Sequence, residues 1–289
     1  MSNDFYLSYS GRKLFKTCPK QYYFRYILKD KTPLDPKKVM FGSIIGKVFE
    51  WFYERKFWQF KDVNQKLLES LEDATELVFS QDNYRKGTDS VYEMKLREDL
   101  IKYVPLGVEI IKKHSLLTSN SQAELDLTVS YTPPGESINF RMVGRADFVH
   151  YKNAEDVWIM DGKAYKQREK YVDSDQLIWY ATQHYIKYRV APTRLGFIYW
   201  LFPDDPVSYI SYDSNSMRVL IKDTMEIIKR ILDKDFTPEP SGECHRCVYK
   251  QKCEEGTKYV AKRRAETGGR IENSIFDLED VTSISTGGE

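Results

Sequence analysis

The stretch that decides the fold is INFRMVGRADFVHYKNAEDVWIMDGKAY, residues 138–165. Its first half is rich in strand-forming residues, KNAED has the composition of a turn, and VWIMDGKAY predicts a second strand. Residues i and i+2 lie on the same face of a strand, so the side chains of Asp161 and Lys163 point the same way. Pairing of the two strands brings Asp147 within reach of both.

Asp147, Asp161 and Lys163 form a combination suited to hydrolysis. Two carboxylates beside an ammonium group suit Mg²⁺ or Mn²⁺, which prefer hard oxygen ligands. Such a metal can orient and deprotonate a water for attack on a phosphodiester, and the lysine can assist that water or stabilise developing charge. The alternative is a salt bridge at a strand end, because a D-x-K triplet is common by chance. A second triplet, DPK at 35–37, lies in a polar loop and is discarded.

The segments around this hairpin predict an α/β protein. AELDLTVSY from Ala123 alternates as a strand, and a helix over 174–189, a strand from Thr193 and a helix over 217–233 follow the hairpin. Upstream we expect two helices, over 8–28 and 43–58, and then a helical insertion over about 62–119. Ser8 or Ser10 is the expected N-cap of the first helix, and Pro19 interrupts it. The predicted core is a helix, a three-stranded antiparallel meander, a helix and a strand.

Two polar residues on the helix after the hairpin are further candidates. Gln176 and Tyr180 are four residues apart, so they share a helix face that could reach the metal site or a DNA backbone. For these two residues alone, a helix with one solvated stripe is the simpler interpretation.

The four cysteines indicate a metal site. Cys244, Cys247 and Cys253 have the spacing C-x2-C-x5-C, and Cys18 lies far upstream. Clustered cysteines in a cytosolic chain point to metal binding or catalysis and not to disulfides. Four thiolates can hold a [4Fe-4S] cluster or a structural zinc, although a zinc ribbon usually has two C-x2-C pairs.

The segment from Arg12 to Lys38 is strongly basic and carries interleaved aromatic residues. Basic groups could neutralise phosphates while aromatic rings stack on bases. A solvated face of an amphipathic helix explains the pattern equally well. The candidate DNA-binding residues are Arg12, Lys13, Lys16, Lys20 and Arg25.

Composition excludes several classes of protein. The chain has 289 residues, 41% hydrophobic, with 44 Lys and Arg against 43 Asp and Glu. This balance excludes a polycation and a disordered acidic chain. No apolar run reaches the roughly 18 residues of a membrane span, and no signal peptide opens the sequence, so we expect a cytoplasmic protein without a membrane partner. GSIIGKV from Gly42 lacks the spacing and the Ser or Thr of a phosphate-binding loop, so no intrinsic ATP binding is expected.

Taken in order, these motifs resemble the PD-(D/E)xK nucleases of the RecB type. The likeness is to their iron–sulfur branch, which includes AddB-like nuclease domains and CRISPR-associated exonucleases, and it runs from about Tyr9 to Cys253. Its motifs are C-P-x-x-Y, G-x-x-D, D-x-K, Q-x-x-x-Y and the cysteine pattern, matched here by Cys18, Pro19, Tyr22, Gly144, Asp147, Asp161, Lys163, Gln176, Tyr180, Cys244, Cys247 and Cys253.

The resemblance implies both a fold and an activity. It implies one restriction-endonuclease-like domain over 1–256, with an iron–sulfur staple joining Cys18 to 244–253, and a flexible extension over 257–289. Asp147 and Asp161 would bind Mg²⁺ or Mn²⁺, Lys163 would be catalytic, and a [4Fe-4S] cluster would hold the ends of the domain together. The expected activity is a DNA nuclease, chiefly an exonuclease on single-stranded or free-ended DNA, in recombination, repair or phage or CRISPR DNA processing, with a helicase or recombination partner.

One position departs from the family pattern. The family often has a metal-binding histidine in G-x-x-x-H on the first core helix, but here Gly42 leads to Gly46. Glu50, one turn later, is a substitute ligand on the same face. The alternative function is therefore a catalytically weak or inactive subunit that binds DNA ends and retains the nuclease fold.

Overall fold

The computed structural model describes residues 5–30, 39–80, 88–164 and 174–266. Within them the chain divides into two compact units, which are the described parts of Met1–Lys13 with Pro33–Leu232 and of Leu14–Thr32 with Asp233–Glu289. The DPK triplet and the end of the C-terminal extension lie outside the described residues. The helical insertion is expected to be interrupted near residues 83–89, and of these only 88 and 89 are described.

The first unit contains a five-stranded mixed sheet, whose strands are, in spatial order, β2 (Ser121–Asp126), β5 (Arg145–Tyr151), β6 (Val157–Lys163), β7 (Arg194–Tyr199) and β8 (Val207–Ile210). β2 pairs antiparallel with β5, β5 with β6, and β7 with β8, whereas β6 and β7 are parallel. The predicted hairpin is therefore present as β5–β6.

A three-stranded sheet accompanies it, with the order β1-β4-β3. β1 (Phe5–Ser8) runs parallel to β4 (Phe140–Val143), and β3 (Val129–Tyr131) runs antiparallel to it. Two segments predicted as single strands are thus each divided between the two sheets. AELDLTVSY becomes β2 and β3, and the first half of the quoted stretch becomes β4 and β5, with the break at Gly144.

The helices of the first unit pack an apolar core against the five-stranded sheet. α3 (Met40–Glu54) buries Ile45, Val48, Phe49 and Phe52, which recur at helical spacing. The Phe49 ring stacks on Trp200, just beyond β7, with 4.1 Å between ring centroids. The other helices of this unit are α4 (Val63–Phe79), α5 (Ser90–Lys113), α6 (Ser174–Tyr188) and α7 (Ser214–Leu232).

The predicted helix over 8–28 is divided into three pieces. α1 (Tyr9–Thr17) begins after β1, and the Gly11 amide donates to Ser8 Oγ at 3.1 Å, which confirms Ser8 as a cap. α2 (Pro19–Tyr22) restarts at Pro19, a residue that the first turn of a helix tolerates. The last piece, Tyr23–Ile27, is a π-helical turn.

The second unit carries all four cysteines. Cys18 precedes α2, Cys244 lies in a 3₁₀ turn (Gly242–His245), and Cys253 immediately precedes α8 (Glu254–Glu266). The extension predicted as flexible from residue 257 is therefore helical as far as Glu266. Its end lies outside the described residues.

Candidate active site

The site is built on a row of acidic residues across neighbouring strands. In the β5–β6 ladder Phe148 pairs with Met160, and continuing this register by one residue sets Asp147 opposite Asp161. The Gly162 amide donates to Asp147 Oδ2 at 2.9 Å. The hairpin geometry therefore brings together the two carboxylates predicted from the sequence.

A second set of contacts joins Asp161, Lys163, Gln176 and Tyr180. Lys163 Nζ lies 2.5 Å from Asp161 Oδ2 and donates to Gln176 Oε1 at 3.0 Å. Gln176 Nε2 donates both to Asp161 Oδ1 at 2.8 Å and to the Tyr180 hydroxyl at 3.1 Å. Gln176 therefore uses both amide hydrogens and its carbonyl oxygen to fix the acid and the lysine relative to each other.

Burial raises the pKa values of two acidic groups at this site, Asp147 and Tyr180. Burial, and then the neighbouring Asp161 charge, raise the pKa of Asp147 well above its ordinary value. Burial, followed by the charges of Asp161 and Asp147, also raises the pKa of the Tyr180 hydroxyl. Asp147 is thus an acid whose ionised form costs free energy in this chain, and an added cation would favour that form.

A cavity of about 500 Å³ opens beside these residues. Asp147 and Lys163 line it from the sheet, and Gly46, Lys47 and Glu50 line it from α3. The Lys47 ammonium is ion-paired with Glu50. A Cβ atom added at Gly46 would meet nothing within 4 Å, so the helix has room for a side chain at this position.

The donors around the cavity fit a hard divalent cation in their chemistry. Carboxylates of Glu50, Glu124 and Asp147 line it, and such oxygens are the ligands that Mg²⁺ and Mn²⁺ prefer. In the described part of the chain, no three His, Cys, Asp or Glu residues are placed so that they could hold a metal ion as they stand.

Comparison with known proteins identifies the family. The family model of the PD-(D/E)XK nuclease superfamily matches residues 6–254 of the chain. The chain belongs to this superfamily. Membership implies a metal-dependent nuclease with a nucleic acid substrate, and the two mixed sheets with their helices are consistent with a restriction-endonuclease-like fold.

The solved structures and the curated proteins do not extend this family assignment. A solved structure described as "Crystal structure of SSO0001" is 16% identical, with a TM-score of 0.32, and the match covers 75% of this chain and 85% of that one. No curated protein gives a significant match. No helix in the described residues is both long and apolar enough to cross a membrane.

The first residue of the superfamily's G-x-x-D motif has a packing reason to be glycine. A Cβ atom at Gly144 would lie 2.2 Å from Gln183 Oε1. Gln183 is fully buried on α6, and its Nε2 donates to the Met142 carbonyl at 2.9 Å. Gly144 therefore allows α6 to pack closely against the chain just before β5, the strand that carries Asp147.

The candidate DNA-binding residues of this nuclease have different environments. Arg12 is only 2% exposed, and its guanidinium is ion-paired with Asp175 and Asp223. Its predicted contact with DNA therefore needs correction, because the group is already satisfied inside the first unit. Lys13 in that unit, and Lys16 and Arg25 in the second, are exposed, whereas Lys20 is half-buried with its ammonium 4.7 Å from the centre of the Tyr23 ring.

In the second unit the Cys247 thiol interacts electrostatically with the other three thiols. Burial first, and then Cys244, Cys18 and Cys253, raise the pKa of the Cys247 thiol. Backbone amides of Ser241 and Gly256 donate to Cys244 Sγ and Cys253 Sγ, each at 3.4 Å. No disulfide joins any of them. Thiolates are the ligands of iron–sulfur clusters, but among the described residues no three of these cysteines are placed so that they could hold a metal ion as they stand.

One cavity residue was missed by the sequence reasoning. Glu124 on β2 falls between the ladder pairs of its neighbours, Ala123 with Phe148 and Leu125 with Ala146, and so stands opposite Asp147. Burial, and then the charge of Glu50, raise the pKa of its carboxyl group. In the sequence it looks like any glutamate in an alternating strand, and no motif marks it.

Proposed function

We propose that this protein is a metal-dependent deoxyribonuclease that degrades DNA from free ends, with a preference for single strands. The observation that carries the proposal is the cluster of Asp147, Asp161 and Lys163, in which Asp147 and Lys163 line one cavity. Asp161 is buried behind the cavity wall, and Gln176 bridges it to Lys163. A divalent cation held by the two aspartates, with Glu50 nearby, would supply an activated water and neutralise charge on the phosphate.

The chain's own residues have separate roles in this proposal. Lys163 would donate hydrogen bonds to the phosphate oxygens or to the attacking water, since its ammonium already lies among the acidic groups. Gln176 is a positioning residue that holds Lys163 and Asp161, and the Tyr180 hydroxyl accepts its remaining amide hydrogen. Lys13, Lys16 and Arg25 would contact the DNA backbone through their exposed charges.

The preference for DNA ends rests on the cysteine pattern, which resembles that of iron–sulfur exonucleases. We propose that Cys18, Cys244, Cys247 and Cys253 hold a [4Fe-4S] cluster in the second unit. Protein purified without oxygen should be brown and contain about four irons per chain. Stable, colourless protein with one zinc and no iron would exclude the cluster.

The test of catalysis is a cleavage assay on end-labelled linear and circular single-stranded DNA with Mg²⁺ or Mn²⁺. Linear DNA should be degraded and circular DNA spared. Asp161→Asn and Lys163→Met should each lose cleavage by at least about 100-fold, as expected for groups that stabilise the transition state, while still binding DNA. Asp73→Asn and Lys258→Met, at exposed positions, are the matched controls.

A non-catalytic subunit that binds DNA ends is the second candidate function. Gly46 favours it, because the family often has a metal-binding histidine at this position. Parent protein that shifts end-containing DNA in a gel but cleaves neither substrate at any Mn²⁺ concentration would establish this alternative. Equal cleavage by the parent, Asp161→Asn and Lys163→Met would instead refute the site assignment.

A further inference from the structure

Glu124 adopts a backbone conformation that a glutamate rarely takes. Its φ angle is +50°, although it lies inside strand β2. For a residue with a Cβ atom this left-handed region is sterically unfavourable, and such outliers cluster at functional sites. The ladder with β5 continues on both sides of Glu124, so one residue alone departs from strand geometry.

Glu124 lies at the candidate active site. The residue lines the cavity together with Asp147 and Glu50. It stands opposite Asp147 in the β2–β5 register, and Asp147 in turn stands opposite Asp161. Three acidic residues therefore form one row across β2, β5 and β6.

Its visible ion pair does not account for the strain. Arg145 Nη1 lies 3.7 Å from Glu124 Oε2, and the Arg145 side chain is 63% exposed. An exposed pair at that distance contributes little to stability because solvent screens it. A negative charge beside Glu50 and Asp147 adds repulsion, so Glu124 is unfavourable for the metal-free fold on two grounds.

We propose that Glu124 is a third carboxylate of the metal centre, and that its strained backbone directs this side chain toward a divalent cation shared with Asp147. The proposal rests on the proposed function, since it deepens the role of the same site. In this proposal Glu124 serves mainly to increase metal affinity, and its structural role is secondary.

The test uses Glu124→Gly, Glu124→Asn and Glu124→Gln in the full chain without DNA. Glycine and asparagine tolerate a positive φ, whereas glutamine keeps the strain and removes only the charge. Mn²⁺ affinity is measured by calorimetry and Tm by thermal unfolding in EDTA. Asp126→Asn, on the same strand, is the matched control.

We expect opposite signs for the two measurements. All three variants should bind Mn²⁺ roughly 10- to 100-fold more weakly, as for other residues that support a bound metal. Glu124→Gly and Glu124→Asn should also raise Tm in EDTA by about 2–8 °C as strain is relieved. Asp126→Asn should change neither value.

Each other outcome overturns a defined claim. Parent-like Mn²⁺ affinity in Glu124→Gln and Glu124→Gly refutes the role of Glu124 and leaves the nuclease proposal intact. A lower Tm for Glu124→Gly and Glu124→Asn refutes the strain. The third outcome is that the parent protein binds no Mn²⁺, and that Asp147→Asn and Glu124→Gln unfold in EDTA at the same Tm as the parent. This outcome refutes both the metal centre and this inference.

Discussion

Replacing Gly144 by alanine tests how the helix after the hairpin positions the active site. The added Cβ atom would lie 2.2 Å from Gln183 Oε1 and 2.9 Å from its Cδ and Nε2. Gln183 is fully buried and its Nε2 is hydrogen-bonded to Met142, so the side chain cannot move aside without losing that bond. Either α6 shifts away from the strand or Gln183 becomes a buried amide without its partner.

The expected cost follows from these two effects. Overpacking by one methyl group costs about 1–3 kcal/mol, and a buried polar group without its partner costs about 1–3 kcal/mol. Because the two effects are alternatives, the free energy of unfolding should fall by about 1–3 kcal/mol, which for a unit of this size lowers Tm by roughly 2–12 °C. Because Asp147 lies three residues beyond Gly144, Mn²⁺ binding should weaken as well.

Thermal and urea unfolding measure the loss, and Gly46→Ala is the matched control. The same substitution at Gly46 meets no atom within 4 Å and should stabilise the helix by about 1 kcal/mol. In a double-mutant cycle, Gln183→Ala should cost less stability in the Gly144→Ala background than in the parent, because it removes the clash. Parent-like stability of Gly144→Ala, or no coupling in the cycle, would refute the reasoning.

Three further predictions concern the site and its support. Gly46→His should bind Mn²⁺ more tightly in calorimetric titrations, since the cavity has room for the ring; unchanged titrations would mean that α3 does not face the metal. Asp147→Asn should stabilise the metal-free protein at neutral pH. Burial raises the folded-state pKa of Asp147 above 3.8, so the parent loses stability as pH rises through that raised pKa. The stability that Asp147→Asn gains over the parent should therefore vanish below the pKa of the unfolded state, which unfolding experiments across pH will measure. Arg12→Met should lower the free energy of unfolding in urea by about 1–3 kcal/mol. This is at the low end for a buried ion pair, because the partners Asp175 and Asp223 are half-exposed. Weaker DNA binding at unchanged stability would instead make Arg12 a DNA contact.

The sequence predicted the elements whose signal is local. α3, α6 and the β5–β6 hairpin follow from periodicity and turn composition, and these elements carry Asp147, Asp161 and Lys163. The break at Gly144 was not predicted, because the strand pattern runs through it. The close approach of Gln183 to this glycine comes from another element. β8 is only four residues long, Val207–Ile210, and gave too short a pattern to recognise.

Residues whose roles depend on tertiary contacts were predicted less well. Arg12 has the same sequence context as the exposed Lys13 and Lys16, but its neighbours from α6 and α7 bury it. Glu124 differs from its strand neighbours in its backbone φ angle, which residue type does not encode. Sequence reasoning can rank the chemistry of side chains, but only the packing decides which of them reach the cavity.

The cavity also concentrates features that reduce the stability of the metal-free fold. Asp147 is a buried acid beside another acid, Glu124 has a strained backbone, and Gly46 occupies a helix interior where alanine would be better by about 1 kcal/mol. All three line the same cavity. Packing alone would favour replacing each of them, whereas a ligand that binds only the folded state offsets such costs by mass action. Addition of Mn²⁺ should therefore raise Tm, and by less in Asp147→Asn and Glu124→Gln than in the parent.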